Sequence, residues 1–541
     1  MDTSLSIGLL LDRAGTFFRH VEVVSRRPDR SLALSTYGDL DRRARQLASA
    51  LHAAGIRSGD RVATLMWSHT QHLEAYFGIP IAGGVLHPLN MRLDPSDLAY
   101  IVNQAEDSIL IVDDVLLPVY EKFSSKVAIP RVLVVPSTVQ PIPKGYESYE
   151  SFLAEAPDGW RAPQIDEKAA AVLSYTSGTT GRPKGVLYSH RSIVLHALCG
   201  SMQDYHNVTQ YDCVLGAVAM FHVMGWGLPF LCPMSGAKLV LPAQYLDAAG
   251  LLQLLEEERV TRAAAATTVW VNILEMLDAH PGHWKLQPGL RAMCGGSSIP
   301  RHLIAGMSRH GIYIFQGWGM TETGPLAAIC HPKAFMREWP EEQQWELRAK
   351  NGLPSPFTEA RIMNEEGLAA RDGVARGELQ VRGPWVANAY YKAPEQQLEK
   401  WTDDGWFRTG DVATIDAEGY IHIVDRTKDM IKSGGEWISS VDLENALLMH
   451  PGVRDAAVIA VPHPKWQERP LAIVVVRDNA EVTPEHLYTH LCQGFQRWQL
   501  PDDFVFVTEI PRTSIGKLHK AKLREMFADW KWKSTPQSQP S

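Results

Sequence analysis

Hydrophobic and polar positions along this chain alternate between two periods. Leu40, Ala44, Leu47, Ala48 and Leu51 recur at helical spacing, and the following GIRSGDRVATLMW passes through a turn into an apolar run that reads as a strand. The alternation returns with a helix at 251–258 before a strand at 263–267, and a helix at 299–310 before a strand at 312–315. Helices alternating with strands predict an α/β fold, with mixed or parallel sheets covered by helices. From about residue 352 the pattern shortens to strand-and-turn units, GELQVRG and GYIHIVD, predicting a β-rich subdomain within a large N-terminal domain, 1–424. A boundary falls at DRTKD, 425–429. Beyond it helix VDLENALLMH, strands RDAAVIAVP and LAIVVVRD and helix EHLYTHLCQ predict a small α/β C-terminal domain over 430–530. The tail, 531–541, is polar and proline-rich at its end and is expected to be disordered.

One segment tests this reading. Residues 214–237 carry no Lys, Arg, Asp or Glu and are long enough to span a bilayer. Two prolines, four glycines and His222 interrupt the run, and irregular backbone facing lipid would leave polar groups unpaired, so a buried strand, loop and helix start are predicted instead. The N-terminus has a short apolar patch but neither a basic start nor a small-residue cleavage site, which predicts a cytoplasmic protein without a transmembrane segment. A length of 541 residues with 45% apolar content is enough for several cores. The net charge of −8, without a basic block, argues against nucleic acid as a partner. Six scattered cysteines with no CxxC pair predict reduced thiols and no structural zinc.

The chemistry begins at YTSGTTGRPKG, 175–185, directly after the apolar AAAVLS. Glycines let backbone N–H groups approach a ligand, the hydroxyls of Thr176, Ser177, Thr179 and Thr180 add donors, and Lys184 adds charge. This inventory suits a phosphate, although the same residue types also build ordinary turns. Gly178 and Gly181 lead into Pro183-Lys184-Gly185 rather than GK[ST], so the loop is not a Walker A P-loop. Five further stretches are rich in Gly and polar residues: CGGSSIP, QGWGMTETG, DDGWFRTGD, DRTKDMIKSGGEWIS and PRTSIGK. Taken singly, each has a reading as a turn, a cap or a hinge.

Taken together, YTSGTTGRPKG, GWGMTET, GWFRTGD, DRTKDMIKSGG and RTSIGK, in this order, resemble the ATP-dependent, adenylate-forming acyl-CoA synthetases over about residues 10–530. That superfamily also holds firefly luciferase and peptide-synthetase adenylation domains. YSHRS, MFHVMGWGLP and IKSGGEWISS look more specifically like bacterial medium- and long-chain fatty acyl-CoA ligases. The resemblance implies that a carboxylate attacks ATP, giving acyl-AMP and pyrophosphate, and that the thiol of coenzyme A then takes the acyl group, leaving AMP. It assigns Lys517 as the catalytic lysine, and Glu322 with Thr176 or Thr321 as ligands for Mg2+. The loop from Thr176 to Lys184 becomes the pyrophosphate cradle. Gly296, Gln316, Gly317, Trp318 and Thr321 surround the adenine and AMP phosphate, where most families carry tyrosine at the position of Trp318. Asp411 accepts from both ribose hydroxyls, Arg426 holds the same sugar or a phosphate, and Lys432 and Trp437 lie near the adenylate. Lys428 is the hinge of a mobile C-terminal domain, and Ser433, Gly434 and Gly435 swing in to open a slot for pantetheine.

His222 and Trp226, four apart in the uncharged segment, read on their own as core residues. The resemblance instead places His222 and Val223 at the adenylate and makes Trp226 the gate of an acyl tunnel. Several alternatives stay open: a CoA ligase for another small acid, aryl or methylthio-alkanoic; an acyl-adenylating enzyme with a different acceptor; or a noncatalytic nucleotide-binding or membrane-associated lipid-binding protein of the same fold. Retention of Lys517, Glu322 and Asp411 speaks against the last of these. Oligomeric state is not legible, though related ligases are often homodimers.

Overall fold

The computed structural model describes residues 2–138, 140–176, 182–434, 436–513 and 517–532. Two large sheets form the body. The first has seven strands, in the order Glu147–Ser148, Arg131–Val135, Asp107–Asp113, Arg61–Leu65, Val85–Pro88, Ala170–Tyr175 and Gly185–Ser189. All neighbours are parallel except the last pair, which forms an antiparallel hairpin. The second has nine strands around a parallel centre of Lys238–Leu241, Cys213–Ala217, Arg262–Ala266, Arg291–Gly295 and Tyr313–Gly319. Antiparallel pairs close both of its edges.

Helices bury the faces of these sheets. The predicted stripe of Leu40, Ala44, Leu47, Ala48 and Leu51 is the buried side of helix Tyr37–Ala53. Thr36 caps that helix, accepting from Asp39 N while Asp39 accepts in return. Its neighbour, Thr70–Ile81, is buried on all sides save Gln71. Gly78 permits that contact, because a Cβ there would stand 2.8 Å from Leu47 Cδ2 and 2.9 Å from the Ala44 carbonyl.

The uncharged segment is indeed strand, loop and helix: Cys213–Ala217 leads through a turn over Val223–Gly227 into Leu228–Ser235. Among the described residues no helix is long and apolar enough to cross a membrane. The turn was not foreseen in its geometry. Val223, Met224, Gly225, Trp226 and Gly227 all have positive φ, at 32°, 46°, 53°, 49° and 81°. For the non-glycine members this conformation is unfavourable and persists only where the surroundings hold it.

The β-rich part is a five-stranded antiparallel sheet that includes Gly377–Arg382, Phe407–Ile415 and Ile421–Arg426. After Arg426 the chain enters a separate sheet, built on the long hairpin of Val453–His463 and Gln467–Val476. Ile431–Ser433, Glu436–Ile438 and Asp503–Phe506 complete it. Helices Ser440–Leu448, Pro484–Leu491 and Lys520–Met526 pack on it. The fold is thus the expected α/β arrangement of mixed sheets, a β-rich part and a small C-terminal α/β unit. The six cysteines are unpaired. Of the tail, 533–541 lies outside the described residues.

Candidate active site

Several elements end at one cleft of about 790 Å³. The parallel strands Arg291–Gly295 and Tyr313–Gly319 deliver Gly296, Gln316, Gly317 and Trp318 at their carboxyl ends, where open α/β sheets receive ligands. From the edge hairpin come Thr176 and Lys184. Thr176 N donates to the Lys184 carbonyl at 2.9 Å, and Lys184 N donates to Thr176 Oγ1 at 3.1 Å, so these two residues close the base of the loop. Ser177, Gly178, Thr179, Thr180 and Gly181, the rest of the expected cradle, lie outside the described residues.

The charged groups line the same cleft. Asp411 is buried on its strand with both carboxylate oxygens engaged: Arg426 Nε lies 2.6 Å from Oδ1, and the Trp318 indole N–H donates to Oδ2 at 3.3 Å. Burial pushes the Asp411 carboxyl up, against the opposing pull of Arg426 and Lys517. Glu322, in the short turn Thr321–Thr323, is also buried and accepts from the Tyr390 hydroxyl at 2.6 Å. The Thr321 carbonyl accepts from Tyr188.

Lys517 lines the same cleft, its carbonyl accepting from Thr513 N at 2.7 Å and its N–H donating to Thr513 Oγ1 at 3.1 Å. Desolvation in the cleft and the neighbouring Arg426 hold its ammonium down to about 8, with Asp411 and Glu322 opposing them. His222 lines the same space, and burial pushes it down to about 3, aided by Lys517 and Arg92. It is therefore a neutral imidazole near neutral pH. Val223 and Trp226 continue the wall, with the indole edge lying over Gly295: a Cβ on Gly295 would stand 2.9 Å from Trp226 Cη2.

Lys428 borders the cleft, whereas Lys432, Ser433, Gly434 and Trp437 do not reach it. They form a hairpin elsewhere on the small unit, with Lys432 Nζ 5.4 Å from the centre of the Trp437 ring, Ser433 Oγ accepting from Arg469, and Gly434 against Trp466. The expectation that Lys432 and Trp437 stand near the adenylate does not hold in this arrangement. The physical reason is one of position: Lys517 lines the cleft, whereas this hairpin pairs with the edge of the C-terminal sheet through Ser433 and Gln467. Gly435 lies outside the described residues.

Sequence reasoning missed a buried network where the two parts of the chain join. Asp425 Oδ2 accepts from Ser440 Oγ at 2.5 Å and from Ser440 N at 2.7 Å. Lys520 Nζ donates to Ser440 Oγ at 2.6 Å and lies 2.7 Å from Glu444 Oε1. Charged residues in a helix ordinarily read as a solvated face, so the sequence offered no signal here. Tyr390 was missed too; the only hint is the aromatic pair in NAYYKAP.

A family model for AMP-binding enzymes matches residues 19–391, and one for the AMP-binding enzyme C-terminal domain matches 442–517. The chain is 47% identical over 532 residues to the long-chain-fatty-acid–CoA ligase of Thermus thermophilus, covering 98% of this chain and 97% of that one. It is 40% identical over 538 residues to the 3-methylmercaptopropionyl-CoA ligase of Ruegeria lacuscaerulensis, covering 98% of each. Among solved structures, ATP-bound MatB from Rhodopseudomonas palustris matches with a TM-score of 0.82 at 26% identity, over 97% of this chain and 99% of that one. With both family models matched in chain order and the charged cluster assembled in one cleft, the chain belongs to the AMP-binding enzymes, the adenylate-forming acyl-CoA synthetase superfamily.

Proposed function

We propose that the protein is a fatty acyl-CoA ligase: it joins a fatty acid to the α-phosphate of ATP, releasing pyrophosphate, and then passes the acyl group to the thiol of coenzyme A, releasing AMP. The observation that carries this reading is the convergence of Lys517 with Asp411, Arg426, Glu322 and His222 around one cleft. A carboxylate and a polyphosphate repel each other, so positioned cations supply most of what the first step needs. The Lys517 ammonium bridges the carboxylate and the α-phosphate oxygens. Asp411 receives the ribose diol, Arg426 steadies Asp411, and Gly296, Gln316, Gly317, Trp318 and Thr321 enclose the base and phosphate. Neutral His222 faces the acyl carbonyl without adding charge, while Val223 and Trp226 wall the alkyl chain.

Glu322 fits a magnesium ion. The short turn at Thr321–Thr323 presents the buried Glu322 carboxylate, and the Thr176 or Thr321 hydroxyl lines the same cleft. Such sparse donor sets, completed by phosphate and water, suit magnesium. When bound, it neutralises phosphate charge.

The second step needs Lys517 withdrawn. Rotation at Lys428 within a hinge at 425–429 moves the small domain of 430–530 and brings Lys432, Ser433, Gly434, Gly435 and Trp437 to the cleft. Unpaired cysteines agree with a reducing compartment such as the cytoplasm. A second reading, a ligase for a short sulfur-containing acid, draws support from the Ruegeria relative.

The test is acid-dependent AMP release, with and without CoA, over straight-chain acids of graded length and over methylthio-alkanoic acids. A CoA-dependent maximum on medium or long straight chains is expected. No CoA dependence overturns the ligase reading, and a maximum on the methylthio acids favours the second reading.

A further inference from the structure

A segment with no role so far, Trp385 to Lys392, ties together the two halves of the phosphate site. At one end the Trp385 indole donates to the Leu326 carbonyl at 3.1 Å, and Ala387 N donates to the carbonyl of Glu322 at 2.7 Å. At the other, Tyr391 N donates to the carbonyl of Gly185, the last residue of YTSGTTGRPKG, at 2.7 Å. Tyr390 sits between these anchors, buried, with its ring edge-on to Trp401 at 5.1 Å. Trp401 is itself fixed, its indole donating to the Ala387 carbonyl at 2.7 Å.

Tyr390 uses both its polar tip and its ring face. The hydroxyl donates to Glu322 Oε1 at 2.6 Å, and Lys184 Nζ lies 5.0 Å from the ring centre. We infer that Tyr390 is a positioning residue that sets the Glu322 carboxylate and the Lys184 ammonium in fixed relation, coupling the metal side of the nucleotide to its pyrophosphate side. Two features support this. The phenol is a donor at neutral pH and its carboxylate contact among the described residues is with Glu322 Oε1, so the hydrogen bond fixes the orientation of that carboxylate. A metal-binding carboxylate that is itself hydrogen-bonded loses about 10- to 100-fold in metal affinity or activity when that partner is removed. The ring face in turn attracts a cation without neutralising it, leaving Lys184 charged for phosphate.

This inference rests on the ligase reading, and the experiment separates the two. Mn2+ is titrated into enzyme and ATP without acid and followed by electron paramagnetic resonance, and inhibition by inorganic pyrophosphate is measured in parallel. Tyr390→Phe keeps the ring and loses the hydroxyl, so the Mn2+ half-saturation should rise about tenfold while pyrophosphate inhibition stays near wild type. Tyr390→Leu removes the ring as well and should also weaken pyrophosphate, by about two- to fivefold, the size of an exposed cation–π contact. If wild type and Tyr390→Phe bind Mn2+ alike, Tyr390 is packing only and the inference is overturned. Wild type that neither binds Mn2+ with ATP nor exchanges pyrophosphate in the presence of acids would instead remove the ligase reading itself. Equal pyrophosphate inhibition in all three proteins would refute the coupling to Lys184.

Discussion

Asp411 and Arg426 stand directly opposite each other in the register of two antiparallel strands, and the guanidinium Nε lies 2.6 Å from the carboxylate Oδ1. Trp318 occupies the other oxygen, so Asp411 is oriented before any ligand arrives. Asp411→Asn removes the charge that balances both Arg426 and Lys517. A hydrogen bond to a charged group contributes about 1.5–3 kcal/mol, so steady-state kinetics should show the KM for ATP rising about 10- to 100-fold, with the KM for the acid moving far less. An unchanged ATP KM would remove the ribose role.

Lys517 carries a pH signature. Its ammonium is held down to about 8, so the charged form prevails below that pH and is lost as pH rises through it. Acid-dependent pyrophosphate exchange, as kcat/KM for ATP, reports the free enzyme and should decline on the alkaline side with a midpoint near 8. Lys517→Arg, which stays protonated, should lose that alkaline limb even if slower overall. Lys517→Ala should abolish adenylation while sparing thioester formation from supplied acyl-AMP.

The same depression has a stability consequence. An amine whose folded-state value lies below its unfolded value costs the folded protein stability when charged, and that cost fades as pH climbs from about 8 toward the ordinary 10.5. Lys517→Met should therefore melt above wild type at pH 7 and match it at alkaline pH. A lower melting temperature at neutral pH would show that the ammonium is instead stabilised where it sits.

Much of the site was legible because its chemistry recurs in short runs: TSGTTGRPKG, MTET, RTGD and SIGK mark Thr176, Lys184, Glu322, Asp411 and Lys517, and the described ones face one cleft. Helix Tyr37–Ala53 was readable for a simpler reason, since its buried stripe follows the helical period. What escaped has a common cause. Tyr390 touches Glu322 across 68 residues, and Lys520 touches Ser440 across 80, and no local pattern encodes such a contact. The left-handed turn at Trp226 was unreadable because Met and Trp do not advertise positive φ. The hairpin of Lys432 and Trp437 was placed by resemblance at a position that the present orientation of the small unit does not give it.

The buried link from Asp425 through Ser440 to Lys520 and Glu444 crosses the junction where rotation is proposed. Lys520→Met leaves two acids without their cation, and breaking a buried pair from one side costs about 3–5 kcal/mol at most. Glu444, already pushed up to about 7 by burial, lowers that cost by taking up a proton. The variant should melt several degrees lower and adenylate more slowly, with thioester formation from acyl-AMP spared. Adding Glu444→Leu should restore the melting temperature but not adenylation. Recovery of both would mean that the link merely stabilises the small unit and does not orient it.

Trp226 and Gly295 give the acyl side its own prediction. A methyl on Gly295 would stand 2.9 Å from Trp226 Cη2 and 3.2 Å from the Gly317 carbonyl. The carbonyl belongs to a central strand and cannot yield, whereas the indole is carried by a turn whose backbone conformation depends on its surroundings. Gly295→Ala should therefore lever the ring aside and lengthen the acyl space. Each methylene accommodated in an apolar pocket contributes about 1–3 kcal/mol to discrimination, so the kcat/KM ratio of a twelve-carbon to a six-carbon acid should rise several-fold, and further in Trp226→Ala. A shift of Gly295→Ala toward shorter acids would show that the indole is a fixed wall and that the methyl simply fills the space beside it.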